Sequence, residues 1–272
     1  MSSATYASSK LGTPKELFYL SLNEEQPTTI VLLHSLMSSH REWGHITPYL
    51  SNYHLLIPDL PGHCSSRHLA PFTLSNAAKL VGQLILNRAH NAKCHLVGFS
   101  AGGFISVVLA KDHPELIQTL FVSGVYNMAC KARLLTIAPY IGVPVNAIQN
   151  MLPIAVSSYL SGYHTLPPGV REDMASNNNF TLMKAGCAGL LEFGEGYPVK
   201  VRTLAVAGVK HDDVEETRKL GEVLRRGNAE SRAVTIQGAL HGWGFIWPEL
   251  FADSIKAWIE ERSLSKELEN LV

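Results

Sequence analysis

Cys94-His-Leu-Val-Gly-Phe-Ser100-Ala-Gly-Gly103 decides how the rest of the chain is read. Four residues of strand character lead into Gly98-Phe-Ser100-Ala-Gly102, and a run containing Phe104, Ile105, Val108 and Leu109 at helical spacing follows. A G-x-S-x-G turn between a strand and a helix is the local geometry that projects a serine hydroxyl above a sheet edge, and small neighbours relieve the crowding there. The helix that follows starts with unpaired backbone N–H groups, so the amide of Ala101 is a candidate donor to a developing oxyanion. The competing reading is a glycine-rich turn without chemistry.

Outward from this segment, short β-rich runs alternate with helical stretches, the signature of βαβ units around a mostly parallel sheet. Strands are expected at Phe18–Leu22, Thr29–Leu33, His54–Pro58, Cys94–Gly98 and Thr119–Ser123, and helices at Leu74–Arg88, Ala101–His113 and Pro248–Arg262. The Thr29–Leu33 run, TIVLL, is continuously apolar, as expected of a central strand covered on both faces. From Tyr126 to Tyr197 the strand rhythm stops and the chain reads helical, with breaks expected at Gly142–Pro144, Pro153 and Pro167–Gly169. Strands resume at Thr203–Ala207 and Ala233–Ile236, so residues 126–197 read as an insertion into a core formed by 1–125 and 198–272.

Composition narrows the function classes. The 272 residues carry 23 basic and 23 acidic side chains, and 46% are apolar. A chain with no net charge and no basic cluster is not built to hold nucleic acid or an anionic membrane by bulk electrostatics. Cys64, Cys94, Cys130 and Cys187 lack the spacing of a metal site or a disulfide framework, so reduced thiols and no metal are expected. The first fifteen residues are polar, without the apolar core of a secretory signal, which gives a cytoplasmic expectation. Leu134–Val170 contains no Asp, Glu, Lys or Arg, yet prolines and carboxamides interrupt it, whereas a membrane span needs about 20 mostly apolar residues. It reads as the wall of a pocket for a small molecule with an apolar portion, with no carboxylate contacted by this segment. Phe180, Leu182 and Met183 are expected to extend that wall. The competing reading is a homodimer contact through these apolar residues.

A serine hydroxyl needs a positioned base, and the base needs an orienting acid. His241 follows the last core strand, in Gln237-Gly-Ala-Leu-His241-Gly-Trp243, and the loop after Thr203–Ala207 offers Asp212 and Asp213, of which one can serve.

With these residues in hand, the chain resembles the α/β-hydrolase fold superfamily over nearly its whole length. The order Ser100, Asp212, His241 matches that family's nucleophile, acid and histidine. In the family the acid lies three or four positions beyond its strand; counted from Gly208, position three is His211, so Asp212 is preferred to Asp213. Leu33-His34-Ser35-Leu36 is similar to the family's His-Gly oxyanion segment, which implies Leu36 as a second amide donor. Asp59-Leu-Pro-Gly62-His63-Cys64-Ser65 is similar to its Asp-x-x-Gly-His-Gly-x-Ser loop. Ser35 and Cys64 each stand where the family has glycine. The resemblance implies that 126–197 is a helical cap, and that Ser35, Phe99, Tyr126 and Trp243 contact substrate. A cofactor-independent serine hydrolase of carboxylic-esterase type, cleaving an ester, thioester or carbon–carbon bond, is the leading expectation. A non-hydrolytic protein on the same scaffold, whether cyclase, lyase or small-molecule receptor, is the alternative.

Overall fold

The computed structural model describes residues 15–153, 156 and 166–272. The polar N-terminal segment through residue 14, and most of 154–165 within the charge-free stretch, lie outside the described residues.

Eight strands form one sheet in the order β1-β3-β2-β4-β5-β6-β7-β8. They are β1 (Tyr19–Leu22), β2 (Thr29–Leu33), β3 (His54–Pro58), β4 (Cys94–Phe99), β5 (Ile117–Ser123), β6 (Arg202–Gly208), β7 (Arg232–Ile236) and β8 (Leu268–Asn270). Neighbouring strands from β3 through β7 pair in parallel, and β1 and β8 close the two edges antiparallel. Every residue of β2, β3 and β4 is buried, the pattern of strands covered on both faces.

The cover comes from two apolar layers. On one face, α1 (Leu74–Arg88) and α2 (Ala101–Asp112) contribute Val81, Ile85, Phe104 and Leu109, and α6 (Val214–Gly227), numbered after the inserted helices below, adds Leu220 and Leu224. On the other, α7 (Trp243–Ile246) and α8 (Pro248–Ile259) bring Trp243, Phe251, Ile255 and Trp258 against Trp43 and Phe121. Helix α2 is buried almost all round, which is why its sequence is apolar on every side. Helix α6 and strand β8 were not anticipated. The helix carries a legible start signal, since Asp213 caps it by accepting from the Glu216 amide at 3.1 Å and two glutamates follow in its first turn.

Between β5 and β6 the described residues include a 3-10 turn at Ala129–Lys131 and the α-helices α3 (Ala132–Met151), α4 (Val170–Asn177) and α5 (Phe180–Glu192). The expected break at Gly142–Pro144 does not occur, because α3 runs through both Pro139 and Pro144. A helical proline forfeits one backbone hydrogen bond. Here α3 is held from outside, with Gly142 against the methyl of Met183 and the Asn178 side chain donating to the Val143 carbonyl at 2.9 Å. Among the described residues, no helix is long and apolar enough to cross a membrane.

The strand register sets up the chemistry. Leu33 pairs with Gly98, Phe99 with Ser123, Ser123 with Val206, and Gly208 with Ile236. The carboxyl ends of β2, β4, β5, β6 and β7 therefore finish level, and the loops leaving them share one edge, the place where open α/β sheets bind ligands.

Candidate active site

Ser100 sits at that edge with φ 51° and ψ −120°, a backbone conformation that costs a non-glycine residue about 1–3 kcal/mol. Its surroundings enforce it. The Ser100 amide donates to the Ser123 carbonyl at 2.8 Å, anchoring the turn to β5. A Cβ on Gly98 would lie 2.5 Å from the Gly102 carbonyl oxygen, and one on Gly102 would lie 2.3 Å from that of Leu33. The glycines flanking Ser100 thus let α2 reverse directly over the ends of β4 and β2. The amide of Ala101, the first residue of α2, is among those a helix leaves without an intrahelical acceptor.

His241 donates from Nδ1 to Asp212 Oδ1 at 2.5 Å, and the second oxygen of Asp212 accepts from the Gly208 amide at 2.8 Å. Asp212 is 7% exposed, so it is held rigidly at the end of β6. Asp213 points elsewhere, to the α6 cap already described. The imidazole rests on Phe99, with ring centroids 4.9 Å apart. The ring also lies against Gly124, whose φ is +70° and on which a Cβ would lie 2.3 Å from His241 Cε1. Gly124→Ala is therefore expected to displace the imidazole and lower kcat/KM of any His241-dependent reaction by about 10²-fold, the scale of a misplacement near 1 Å. Steady-state kinetics on a variant shown by circular dichroism to be folded checks this. Unchanged turnover would remove His241 from the reaction.

Two buried histidines fix the loops beyond β2 and β3. His34 Nε2 accepts from the Leu60 amide at 2.9 Å while its Nδ1 donates to the Ser35 carbonyl at 2.8 Å. His63 Nε2 accepts from the Met37 amide at 3.1 Å and its Nδ1 donates to the Pro61 carbonyl at 3.0 Å. Each ring needs one bare nitrogen for its amide partner, so the neutral form is required. Burial accordingly pulls His34 down to about 3 and His63 to about 4, and buried His95 also to about 4. The unfolded chain takes up these protons near pH 6.5 and the native state refuses them until pH 3–4. Their stabilisation is thus complete above pH 6.5 and drains as pH falls. Burial raises the Glu42 carboxyl to about 7, which opposes this by one proton between pH 4.5 and 7. Burial lowers His54 as well, so the histidines outweigh the single opposing carboxyl and the net effect is a loss of stability as pH falls from 6 toward 4.5. Thermal melts across that range are expected to show a steeply falling midpoint, and a flat midpoint would overturn the assignment.

Ser35, in the position of the family's glycine, uses its side chain. Glu42, 4% exposed, accepts from the Ser35 amide and from the Ser35 hydroxyl, both at 2.6 Å. With Ser35 tied to Glu42 and Met37 tied to His63, the amide of Leu36 lies between two anchored neighbours. Glu42 was not singled out in the sequence, and its position just before Trp43 carries no motif that would have marked it.

A cleft of about 320 Å³ brings Ser100 and His241 together with Ser35, Leu36, Phe99 and Glu42. Two expected substrate contacts lie elsewhere. Trp243 is fully buried, with Nε1 donating to Ser123 Oγ at 2.9 Å and its ring 4.3 Å from that of Phe251. Tyr126 is buried with its hydroxyl accepting from Lys131 at 2.8 Å. Phe180, Leu182 and Met183 are also absent from the described cleft wall. Leu182 is part of the first core layer with Met183 against it, and Phe180 packs on Tyr140. Cys64 is engaged with Asn177, whose side-chain oxygen accepts from the Cys64 amide at 2.9 Å and whose nitrogen reaches the thiol at 3.2 Å. Burial pushes that thiol up to about 11, which suits a packing role. The same Asn177 donates to the carbonyls of Met37 and Ser38, so α4 is tied to the loop behind Leu36. Cys64, Cys94 and Cys187 are free thiols, and among the described residues no cluster of metal-binding side chains exists.

Comparison with known proteins agrees with this architecture. Residues 28–139 match the family model described as the alpha/beta hydrolase fold. A protein of Gibberella zeae called an AB hydrolase superfamily protein is 31% identical over 258 residues, 93% of this chain and 86% of its own length. A 2-succinyl-6-hydroxy-2,4-cyclohexadiene-1-carboxylate synthase of an Enterobacter species is 33% identical over 95 residues, 35% of this chain and 36% of its own. The solved esterase of Exiguobacterium antarcticum superposes with a TM-score of 0.70 at 16% identity, covering 90% of this chain and 95% of that one. The level strand ends, the strained serine turn and the near full-length relative agree on one assignment: the chain belongs to the alpha/beta hydrolase superfamily.

Proposed function

We propose that this protein is a cofactor-independent serine hydrolase of small, partly apolar esters, with the helices between β5 and β6 acting as a cap over the site. The observation that carries this reading is the meeting of Ser100, on its strained turn, with an Asp212-held His241 in one cleft. In the proposed cycle Ser100 Oγ attacks the ester carbonyl as His241 Nε2 takes its proton. The amides of Leu36 and Ala101 receive the oxyanion. Collapse of the tetrahedral intermediate breaks the acyl–oxygen bond, and His241 returns the proton to the departing alcohol. Water, deprotonated by the same imidazole, then releases the acid and restores Ser100. Asp212 fixes the tautomer that leaves Nε2 bare.

A fluorophosphonate probe and a panel of p-nitrophenyl esters test this. Covalent labelling at Ser100 with ester turnover is expected. A second reading, carbon–carbon bond chemistry without an acyl-enzyme, draws on the partial likeness to a synthase. Absence of both labelling and turnover in the folded protein would favour it.

A further inference from the structure

Helix α3 is amphipathic in the inverted sense. Leu134, Ile137, Ile141, Val145 and Ile148, at intervals of three and four residues, form one apolar stripe and are 47–62% exposed. On another face Asn146, Gln149 and Asn150, related as i, i+3 and i+4, line the cleft that holds Ser100. An ordinary surface helix buries its apolar stripe and shows its amides to water. This one turns carboxamides toward the reaction centre, and the charge-free segment read as apolar wall supplies polar groups there.

Arg171, the second residue of α4, lines the same cleft. Its Nη2 donates to the carbonyls of Asn150 at 2.8 Å and Gln149 at 3.3 Å, and to that of Leu152, all at the end of α3. These acceptors pin the guanidinium in place without neutralising it, and among the described residues it makes no ion pair. A guanidinium carries five N–H donors on a rigid fork, and among the described residues only Nη2 is engaged, which leaves the Nη1 and Nε hydrogens without an acceptor there. Among the described residues lining the cleft, the acidic side chain is that of Glu42, and it is spent on Ser35. The remaining wall, Leu36, Met37, Phe99, Met174 and Phe245, is apolar.

We infer that the physiological substrate carries a carboxylate, separated from the scissile ester by a short apolar spacer, and that Arg171 receives it with help from Asn146, Gln149 and Asn150. This deepens the hydrolase reading and rests on it for the ester, though not for the anion. A fixed cation in a half-enclosed cleft is matched by a bidentate carboxylate, and carboxamides satisfy its remaining lone pairs. The apolar wall near Ser100 accepts the spacer.

The test pairs turnover with binding. Turnover of the mono-p-nitrophenyl ester of adipate is compared with that of p-nitrophenyl hexanoate, and binding of succinate, adipate and suberate is measured by calorimetry. Wild type is expected to favour the anionic ester at least tenfold in kcat/KM and to bind one of the diacids. Arg171→Met is expected to lose about 100-fold on the anionic ester and at least tenfold in diacid binding, with the loss on hexanoate at least tenfold smaller than that on the anionic ester; Arg171→Lys is expected to recover part of both. Equal losses on both esters, with a lowered Tm, would make Arg171 a helix-end support only and overturn the proposal. Hexanoate turnover without anionic preference or diacid binding would overturn it while leaving the hydrolase reading intact. Arg171-dependent diacid binding without turnover of either ester would do the reverse. Neither binding nor turnover would sink both.

Discussion

Ser100→Ala is expected to abolish fluorophosphonate labelling and to lower ester turnover by about 10³–10⁶-fold, the upper figure being the scale seen when a serine protease loses its nucleophile. The residual rate would come from the oxyanion donors and the cleft, which the substitution leaves in place. Stability should move little, because alanine inherits the same φ of 51°. Ser100→Gly separates the two effects. Glycine occupies positive φ without the Cβ penalty, so this variant should be equally inactive yet more stable than Ser100→Ala by about 1 kcal/mol. That corresponds to a rise in Tm of about 2–4 °C for a chain of this size. Full labelling of Ser100→Ala would put the nucleophile elsewhere, and Ser35, Ser38 and Ser39 in the neighbouring loop would be the next residues to replace. A glycine variant no more stable than the alanine one would mean that the turn is not strained.

Asp212→Asn should cost about 10²–10⁴ in kcat, whereas Asp213→Asn should stay within about tenfold. The reason lies in what each oxygen of Asp212 accepts. One takes the Gly208 amide at 2.8 Å and the other takes His241 Nδ1–H at 2.5 Å. An asparagine must keep its oxygen toward the Gly208 amide, because the alternative sets two donors face to face. Its NH2 group then meets Nδ1, forces that nitrogen to act as acceptor, and moves the ring proton to Nε2, where it blocks proton transfer from Ser100. Asp213 caps α6, a task asparagine performs equally well, while Asp213→Ala should cost about 1 kcal/mol of stability with little change in turnover. Kinetics and melts on the three variants decide the matter. A larger loss of kcat in Asp213→Asn than in Asp212→Asn would exchange the two roles, and small equal losses would remove the loop from the mechanism.

The inverted polarity of α3 also bears on specificity. If the proposed anion site is used, a wall of carboxamides and one pinned guanidinium would discriminate by leaving half-buried donors unpaired when the matching group is missing, a stronger filter than an apolar wall provides. On the proposed reading, chemistry at Ser100 and selection by the inserted helices would be carried by separate parts of the chain, one built into the sheet edge and the other packed beside the cleft.

The sequence by itself determined the parallel sheet, the serine turn and the order of Ser100, Asp212 and His241. Each of these is written in local pattern: TIVLL is apolar throughout because β2 is buried on both faces, and glycines flank Ser100 because any Cβ there meets backbone. Strand ends were located to within one or two residues, since period-two and period-3.6 apolar patterns report burial directly. Only the tertiary structure decided which aspartate faces His241, that Glu42 compensates for a serine in place of glycine, and that Trp243 fills the core. Only the fold, too, could show that α3 presents its amides inward. These outcomes depend on which face of a loop or helix meets a partner tens of residues away. Asp212 and Asp213 are adjacent and chemically identical, and the choice between them was made by Gly208 and His241 at one sheet edge. A helix reads as amphipathic from its sequence, but which side is inside is fixed by what packs against it, here Met183 of α5 and the cleft.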